Sequence, residues 1–499
     1  MIQTRYNRPC FERSRVITGS ILLITLFLLA ACDSAVNTQE HPVLNQGKSL
    51  LYISTSTQSN PDTLTMLRSG DGKQLWQYRI HGDLATGLET PGVAVRQGLA
   101  LQVVNGIIYF AVAAPSNLDT TSYTIMALRA DNGLVVWQKH VKTGLFEPLV
   151  IAGGEICVLE GPNAHVIVPS ALTLDAYNMK TGTLDWQRKW SDTADPENLP
   201  QYAAFMDGSF YFLAITAYTQ QHSLALSAIQ ASTGKRLWKY EPALRTPPVF
   251  LSLPVASVSG IVTIYSLAGS VFKATGGGQA RLVGLRESDG TQVWSHAVDP
   301  LPGVLPVSLP LENGILYFAT INTATSAITA HAIRINDGAF LWQQSITQQA
   351  SYLLDLTMAD GRFYVHTAAV AGQGRSVGFP SSSVTVLQAR DGKPLWHFQI
   401  NQQGMSQLAV SGSSSVYLQK NRTLYVLRPS DGVLLNQYQL PTDMPSLPTL
   451  LMASGKLSFT YLFSSSPDKT RTFVLQQDGG KMAWNHEFDM YLYSVVLGP

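Results

Sequence analysis

The sequence predicts an all-β protein, a propeller built from four-stranded blades. This prediction rests on an eleven-residue pattern that recurs nine times, on a glycine at the same place in every copy, and on an apolar strand ahead of most copies. The clearest copy runs from Ala127 to Trp137, and copies begin roughly every 50 residues, which is the period of stacked β units. The nine copies begin at Met66, Ala127, Ala176, Ala228, Gly284, Ala332, Val386, Val426 and Val474.

Each copy has the pattern of a β-hairpin. Its first four residues alternate apolar and polar, as expected of a strand with one buried face. A glycine follows at the seventh position, where a tight turn needs a positive φ that glycine adopts without strain. These glycines are Gly72, Gly133, Gly182, Gly234, Gly290, Gly338, Gly392, Gly432 and Gly480.

Tryptophan closes eight of the nine copies, and the eighth copy has Asn436 in its place. A hairpin alone is marginally stable in water, so we expect each indole ring to pack against the neighbouring unit. We favour this structural role over that of a stacking platform for a quinone. Apart from Trp190, the tryptophans of the chain are Trp76, Trp137, Trp186, Trp238, Trp294, Trp342, Trp396 and Trp484.

Two further strands precede most hairpins and complete a blade. Residues 105–111 and 313–319 are apolar strands opened by Asn-Gly, and another strand comes before each of them. Four strands per unit at this period are typical of propeller blades. The first unit begins near Ser49 with no strand in front of it, whereas residues 492–497 form a strand with no hairpin behind it. We therefore predict that the C-terminal strand completes the first blade and closes the ring.

The pattern Ala-Leu-x-Ala-x-x-Gly-x-x-x-Trp resembles the pyrroloquinoline-quinone-like (PQQ-like) repeat. That repeat occurs in quinoprotein dehydrogenases and in propellers without enzymatic activity, including the lipoprotein of outer-membrane β-barrel assembly. The resemblance covers residues 48–499 and implies eight blades, whereas the motif count is nine. We expect eight regular blades and one irregular unit, with the eighth copy as the weakest.

The N-terminus has the features of a lipoprotein signal peptide at residues 1–31. Arginines precede an apolar run that is shorter than the roughly 20 residues of a membrane span. The run ends in Leu29-Ala30-Ala31-Cys32, which resembles a bacterial lipobox, so we predict that Cys32 carries the lipid, including palmitate. The alternative is an ordinary cleaved signal with an incidental cysteine. Residues 32–47 are predicted to form a polar tether, and residues 48–499 the propeller.

Asp33 directly follows the predicted lipid site. In an envelope with two membranes, an aspartate there resembles a signal for retention at the inner membrane. In an envelope with one membrane it has no such meaning. The remaining cysteine of the predicted mature chain, Cys157, lies in an apolar stretch and is expected to be a small buried hydrophobe.

The composition gives no reason to expect a nucleic-acid partner. Charged residues make up 13% of the chain, about half the usual share, and the net charge is +1. Without a basic field, binding to nucleic acid has no electrostatic basis.

Few of the residues that an enzymatic function would require are present in the sequence. A quinoprotein dehydrogenase would need PQQ with calcium and an acidic base, but the adjacent cysteine pair of alcohol-oxidising relatives is absent. The histidines show no metal-binding spacing. Residues 374–378 match Gly-x-Ser-x-Gly, but the sequence places them in a loop between strands and not in a nucleophile elbow. The acids are mostly turn residues: Asp71, Asp131, Asp289, Asp337, Asp391 and Asp431.

We therefore predict an extracytoplasmic lipoprotein of the bacterial cell envelope, anchored to a membrane, whose propeller is a scaffold for envelope proteins or peptides. We expect no cofactor and no metal. Two alternatives stay open, an outer-membrane protein assembly factor and a PQQ-dependent alcohol or sugar dehydrogenase. The candidate binding loops, which could pair with extended segments through the main chain, are residues 60–62, 115–122, 163–170, 191–200, 219–223 and 371–383.

Overall fold

The computed structural model describes the chain from residue 50 to residue 498, with gaps. The residues left out are 1–49, 57–62, 69–70, 72, 81–82, 85–101, 114–121, 142–143, 146–149, 162–170, 192–199, 207, 217–222, 242–248, 269–278, 299–308, 323–324, 326, 347–351, 370–377, 413, 441–448, 454–455, 463–469, 477–481, 489–490 and 499. The predicted signal peptide and tether, including Cys32 and Asp33, lie outside the described residues. In the described part, no helix is long and apolar enough to cross a membrane.

The described secondary structure is strands joined by turns. The strands are β1 (Leu50–Ser56), β2 (Thr63–Arg68), β3 (Gln74–Arg79), β4 (Asp83–Leu84), β5 (Gln102–Val104), β6 (Ile107–Ala113), β7 (Tyr123–Arg129), β8 (Val135–Val141), β9 (Gly144–Leu145), β10 (Val150–Ala152), β11 (Glu155–Gly161), β12 (Ala171–Asn178), β13 (Leu184–Ser191), β14 (Pro200–Met206), β15 (Ser209–Thr216), β16 (Ser223–Gln230), β17 (Arg236–Tyr240), β18 (Val249–Val258), β19 (Ile261–Ala268), β20 (Gln279–Arg286), β21 (Gln292–Val298), β22 (Leu311–Glu312), β23 (Ile315–Asn322), β24 (Ala327–Arg334), β25 (Phe340–Ile346), β26 (Tyr352–Ala359), β27 (Arg362–Ala368), β28 (Ser382–Gln388), β29 (Pro394–Ile400), β30 (Ser406–Ser411), β31 (Ser415–Lys420), β32 (Thr423–Leu427), β33 (Leu434–Gln439), β34 (Thr449–Ala453), β35 (Lys456–Leu462), β36 (Thr470–Gln476), β37 (Met482–Phe488) and β38 (Tyr491–Gly498).

These strands form nine antiparallel sheets, one for each copy of the motif. The first sheet has the order β3-β2-β1-β38, and the fourth to ninth sheets each contain four consecutive strands, from β14–β17 to β34–β37. The second and third sheets have a divided first strand, because β4 and β5 both pair with β6, and β9 and β10 both pair with β11. The described residues thus follow the motif count of nine and not the eight blades expected from the resemblance. The eighth copy forms a regular four-stranded sheet, β30–β33, in spite of its missing tryptophan.

The two ends of the described chain meet in the first sheet. Strand β38 pairs with β1 along its length, with Leu51 opposite Leu497 and Ile53 opposite Val495. This pairing satisfies the free edge of β1, as predicted from the unpaired strand at each end of the sequence. Closure of all nine sheets into one ring stays a prediction.

The motif forms the third and fourth strands of each sheet and the turn between them. In the second sheet, Ala127 lies opposite Trp137, with a bulge just after this pair. The amide of Gly133 donates to the Arg129 carbonyl across 2.9 Å, and Gly133 has φ +71°. The seven motif glycines that the structure describes, from Gly133 to Gly432, all have φ between +67° and +72°, as the turn prediction requires. Gly72 and Gly480 lie outside the described residues.

The hydrophobic cores lie between neighbouring sheets. One core joins the sixth and seventh sheets and includes Tyr317, Ile328, Phe363 and Leu387, all at most 2% exposed. Each unit is too thin to bury both of its apolar faces alone, so stacking against its neighbours supplies most of its stability. Cys157 is buried in the core between the third and fourth sheets, as predicted, and burial raises the pKa of its thiol.

Candidate functional site

The strand order separates two kinds of connection onto opposite ends of the sheets. Where the structure describes them, the turns between first and second strands and between third and fourth strands are tight, and they lie at one end of the sheet, here called the turn end. Asn313 and Gly314 form such a turn, with φ of +52° and +74°, the pair of positive values found in type I′ hairpins. The other connections, which join second to third strands and one sheet to the next, lie at the opposite end, here called the loop end.

Tryptophan contacts place the turn ends of successive sheets side by side. Trp76 of the first sheet lies over the turn of the second sheet, where a Cβ atom added to Gly133 would come within 2.8 Å of Trp76 Cε3. The Trp76 indole N–H also donates to the Ala130 carbonyl of that turn across 3.0 Å. The same relation to the glycine of the next sheet holds for Trp137, Trp186, Trp238, Trp294, Trp342 and Trp396. Each indole therefore packs against the neighbouring unit, as expected from the sequence.

The indole hydrogen bond is made by all of these residues but one. The ring nitrogens of Trp137, Trp238 and Trp342 donate to the equivalent carbonyls of the next sheet across 2.6 to 2.9 Å. Trp294 and Trp396 do the same. The Trp186 N–H is buried without a hydrogen-bond partner in the described part of the chain. The contact with glycine is thus the constant feature, and the hydrogen bond is secondary.

The eighth unit departs from this arrangement. Its closing residue, Asn436, lies on the outermost strand β33 and hydrogen-bonds through its side-chain amide to Tyr438 of the same strand. The three preceding residues are Val433, Leu434 and Leu435, which are 43 to 47% exposed. The side chain of Trp484 and the ninth turn with Gly480 lie outside the described residues.

The acids singled out in the sequence belong to the turn end. Asp337 accepts a hydrogen bond from the Ala339 amide across 3.0 Å and pairs with Arg334 at 2.9 Å. These contacts lower the pKa of Asp337, the backbone hydrogen bond most of all. The same turn contacts and exposure recur in Asp71, Asp289 and Asp431. Asp391 accepts from the Lys393 amide and pairs with Arg390 and Lys393, and Asp131 pairs with Arg129. These carboxylates stabilise turns and do not converge on a shared pocket.

The described strand ends that flank the candidate binding loops all lie at the loop end. Residues 60–62, 115–122, 163–170, 219–223 and 371–383 lie between second and third strands, and residues 191–200 join the third sheet to the fourth. Most of these residues are outside the described ranges. In each of these sheets, the strand ends that flank a candidate loop thus lie opposite the tight turns.

One buried polar cluster lies between the second and third sheets. Glu160, 4% exposed, accepts a hydrogen bond from Tyr123 of the second sheet across 2.6 Å. Tyr177 donates to Asp175 at 3.1 Å, and Gln187 donates to the other oxygen of Asp175 at 2.8 Å. Burial, with the charge of Glu160 next, holds the pKa of Tyr123 well above its usual value. In the part of the chain that the structure describes, no three His, Cys, Asp or Glu residues group as they would around a metal ion.

A second buried polar cluster lies between the seventh and eighth sheets, near the loop end. His366 Nε2 is 2.8 Å from Ser406 Oγ of the eighth sheet. A second contact between the same two sheets joins Lys420 of the eighth sheet, which donates from Nζ, to Ser382 Oγ of the seventh sheet across 3.1 Å. All four residues are at most 5% exposed. These two hydrogen bonds connect the seventh and eighth sheets next to an apolar core that includes Val384 and Leu418.

Sequence reasoning missed these clusters and one further repeat position. The residue four places after the last position of the motif is apolar and buried in most described units: Ile80, Val141, Trp190, Ile346, Ile400 and Leu440. Trp190 is thus a large variant of a repeat position, packed on Phe212 of the next sheet with a ring-centroid distance of 5.1 Å. An alignment of the nine motif copies on their glycines shows this apolar position in the sequence. The polar clusters carry no such periodic signal, because their partners come from different sheets.

The fold defines the class of protein as a propeller of PQQ-like repeats. The chain belongs to the family described as outer membrane protein assembly factor BamB, whose family model matches residues 60–248 and 278–446. A search of curated proteins finds no match to the chain.

Solved structures that resemble the chain share little sequence with it. A eukaryotic initiation factor is 10% identical with a TM-score of 0.53, and the match covers 91% of this chain and 98% of that one. BamB from Moraxella catarrhalis is 13% identical with a TM-score of 0.35, covering 88% and 98% of the two chains. Quinohemoprotein alcohol dehydrogenase from Comamonas testosteroni is 13% identical with a TM-score of 0.43, covering 85% and 70%. At these identities the likeness to the initiation factor concerns the fold alone.

Proposed function

We propose that this protein is a binding scaffold of the bacterial cell envelope that holds a protein or peptide partner at its loop end. The observation that carries the proposal is the topology, which places the connections between second and third strands and between sheets at one end. The turn end is occupied by contacts within the fold, such as the tryptophan contacts and the arginine–aspartate pairs. Membership in the BamB family supports an association with the envelope and a protein partner.

Site-specific crosslinking tests which end binds. A photo-crosslinking residue at Met405, 40% exposed at the loop end, should capture a partner in cells. The matched control is Leu134, 63% exposed at the turn end, which should capture none. Capture from Leu134 and none from Met405 would contradict the proposed face.

Anchoring through Cys32 is the second part of the proposal. It is supported by the apolar run and the Leu29-Ala30-Ala31-Cys32 sequence. Cys32→Ala should move the protein from the membrane fraction to the soluble fraction. Retention of that variant in the membrane would refute lipid anchoring. In an organism with two membranes, Asp33→Ser tests the position: if Asp33 retains the protein at the inner membrane, the variant should move to the outer membrane. Wild-type protein found at the inner membrane would count against the barrel-assembly role.

The particular role that the family suggests is assembly of outer-membrane proteins. The family match over two long segments of the chain favours this role. Deletion should lower the amounts of barrel proteins in the outer membrane, and the anchored protein should co-purify with the barrel-insertase complex. Normal amounts of barrel proteins together with no co-purified insertase complex would exclude this role. The proposal of a general binding scaffold would then stand alone.

A direct binding measurement separates the scaffold from the dehydrogenase alternative. Residues 33–499 would be titrated with PQQ and calcium in a calorimeter and screened for dye reduction with alcohols and sugars. We expect neither saturable binding nor turnover. Saturable binding with turnover would overturn the scaffold proposal.

A further inference from the structure

The cluster between the seventh and eighth sheets contains two basic groups, and no carboxylate of the described residues forms an ion pair with either of them. Lys420 is fully buried, and Ser382 Oγ is its one hydrogen-bond partner among the described residues. An ammonium group has three N–H donors, so a charged Lys420 would leave two of them unpaired in the core. Burial accordingly lowers the pKa of Lys420 to about 8.

His366 is matched to its surroundings only as a neutral ring. Its Nε2 is paired with Ser406, while its Nδ1 is buried with no hydrogen-bond partner in the described part of the chain. A protonated imidazole carries an N–H on both nitrogens, so protonation would bury an unpaired donor and a charge. Burial, followed by the charge of Lys420, lowers the pKa of His366 to about 3.

The surrounding titratable groups do not offset these charges. The strand register places Asp355 opposite His366, but its carboxylate accepts from the Leu356 amide and the Thr357 hydroxyl, and burial raises its pKa. Tyr364, on the same strand as His366, and Tyr425, on β32, also belong to the core between these two sheets. In the described residues, no carboxylate forms an ion pair with Lys420 or His366.

We propose that His366, Ser382, Ser406 and Lys420 form an acid-sensitive latch between the seventh and eighth sheets. At neutral pH the two cross-sheet hydrogen bonds hold the loop end of this seam closed. In acid, protonation of His366 favours the open seam, where the imidazolium reaches water and separates from Lys420. Opening exposes the apolar core beneath, including Val384 and Leu418.

The direction of the pH effect follows from the shifts. In the open state His366 regains its ordinary affinity for protons, so opening takes up a proton over the range from about pH 6.5 down to about pH 3. Lys420 takes up its proton on opening between about pH 10.5 and 8, so its contribution is constant below pH 8. The acid response of the seam between the seventh and eighth sheets below pH 6.5 is therefore due to His366 and not to Lys420.

Hydrogen exchange of the folded protein tests the latch. Protection factors of amides in β27, β28, β30 and β31 would be measured from pH 7 to pH 4. We expect them to fall about tenfold per pH unit below pH 6 in the wild-type protein. Amides of Phe210 and Phe212, in the seam between the third and fourth sheets, serve as an internal control and should not show this fall.

Two variants separate the latch from general acid unfolding. His366→Gln keeps an amide that can bond to Ser406 but cannot become charged, so the fall should disappear while protection at pH 7 stays close to wild type. Lys420→Met removes the neighbouring charge and should make the fall smaller. A fall of equal size in His366→Gln, or an equal fall in the control seam, would overturn the proposal.

Discussion

The ring of Trp342 lies directly over Gly392 of the next sheet. A Cβ atom added to Gly392 would come within 2.6 Å of Trp342 Cε3, which is closer than real Cβ contacts. The two residues belong to motif copies in neighbouring sheets. The glycine therefore has two functions at once, because it supplies the positive φ of its own turn and the open surface on which its neighbour's indole packs.

Gly392→Ala tests both functions. We expect a loss of about 2 to 4 kcal/mol in the free energy of unfolding, since a residue with a side chain is strained at φ +72° and the new methyl group would displace the indole. Gly361→Ala is the matched control: its φ is +67°, but an added Cβ meets no atom within 4 Å. That variant should lose only about 1 kcal/mol. Equal losses in urea unfolding would show that the indole contact contributes nothing.

The indole hydrogen bond can be separated from the ring contact. Trp342 donates to the Ala389 carbonyl across 2.7 Å, whereas the buried N–H of Trp186 has no partner in the described residues. Trp342→Phe should therefore cost about 1 kcal/mol more than Trp186→Phe, because only the first leaves a carbonyl without its donor. Urea unfolding measures both. A larger loss in Trp186→Phe would contradict the assigned hydrogen bonds.

His331 should make the protein less stable in acid. Its ring stacks on Phe318 with a centroid distance of 4.7 Å, and its Nε2 is 2.8 Å from Thr320 Oγ1. Burial lowers its pKa to about 4, so the unfolded chain binds the proton more tightly and stability is lost as pH falls from about 6.5 to 4. The part of the loss due to His331 should reach about 3 kcal/mol, and His331→Gln should remove this part while the part due to His366 stays.

Glu155 should make the protein less stable as pH rises from about 4.5 to 7. Burial and then the nearby charge of Asp185 raise the pKa of Glu155 to about 7. Because this pKa lies above the ordinary value, the contribution to stability is present below about pH 4.5 and lost as pH rises to 7. Asp185→Asn should therefore stabilise the protein by about 1 kcal/mol at pH 8 and have little effect at pH 4.

A turn aspartate with a partner provides the contrast to Asp185. Asp337→Asn removes the ion pair with Arg334 and should destabilise the protein slightly at pH 8. Thermal unfolding at pH 4 and pH 8 measures the stability of the wild-type protein and of the Asp185→Asn and Asp337→Asn variants. A destabilised Asp185→Asn variant at pH 8 would contradict the repulsion assigned to Glu155 and Asp185.

The sequence by itself determined the class of fold and the unit from which it is built. Strand alternation, the turn glycines and the closing tryptophans are local signals, because a hairpin's register and turn depend on residues close together in the chain. The same counting predicted nine units, and the structure has nine sheets in its described part. The expectation of eight blades came from resemblance and failed where the count succeeded.

Only the tertiary structure decided which residues meet across the seams between sheets. His366 and Ser406 are forty residues apart, and no sequence pattern in either strand distinguishes them from neighbouring polar residues. The same is true of Tyr123 and Glu160. Burial and pairing of polar groups depend on how two sheets stack, and stacking joins residues whose separation varies with the length of the loops between them. Hairpins could therefore be predicted from the sequence, whereas the latch and the carboxylate cluster could be found only in the folded protein.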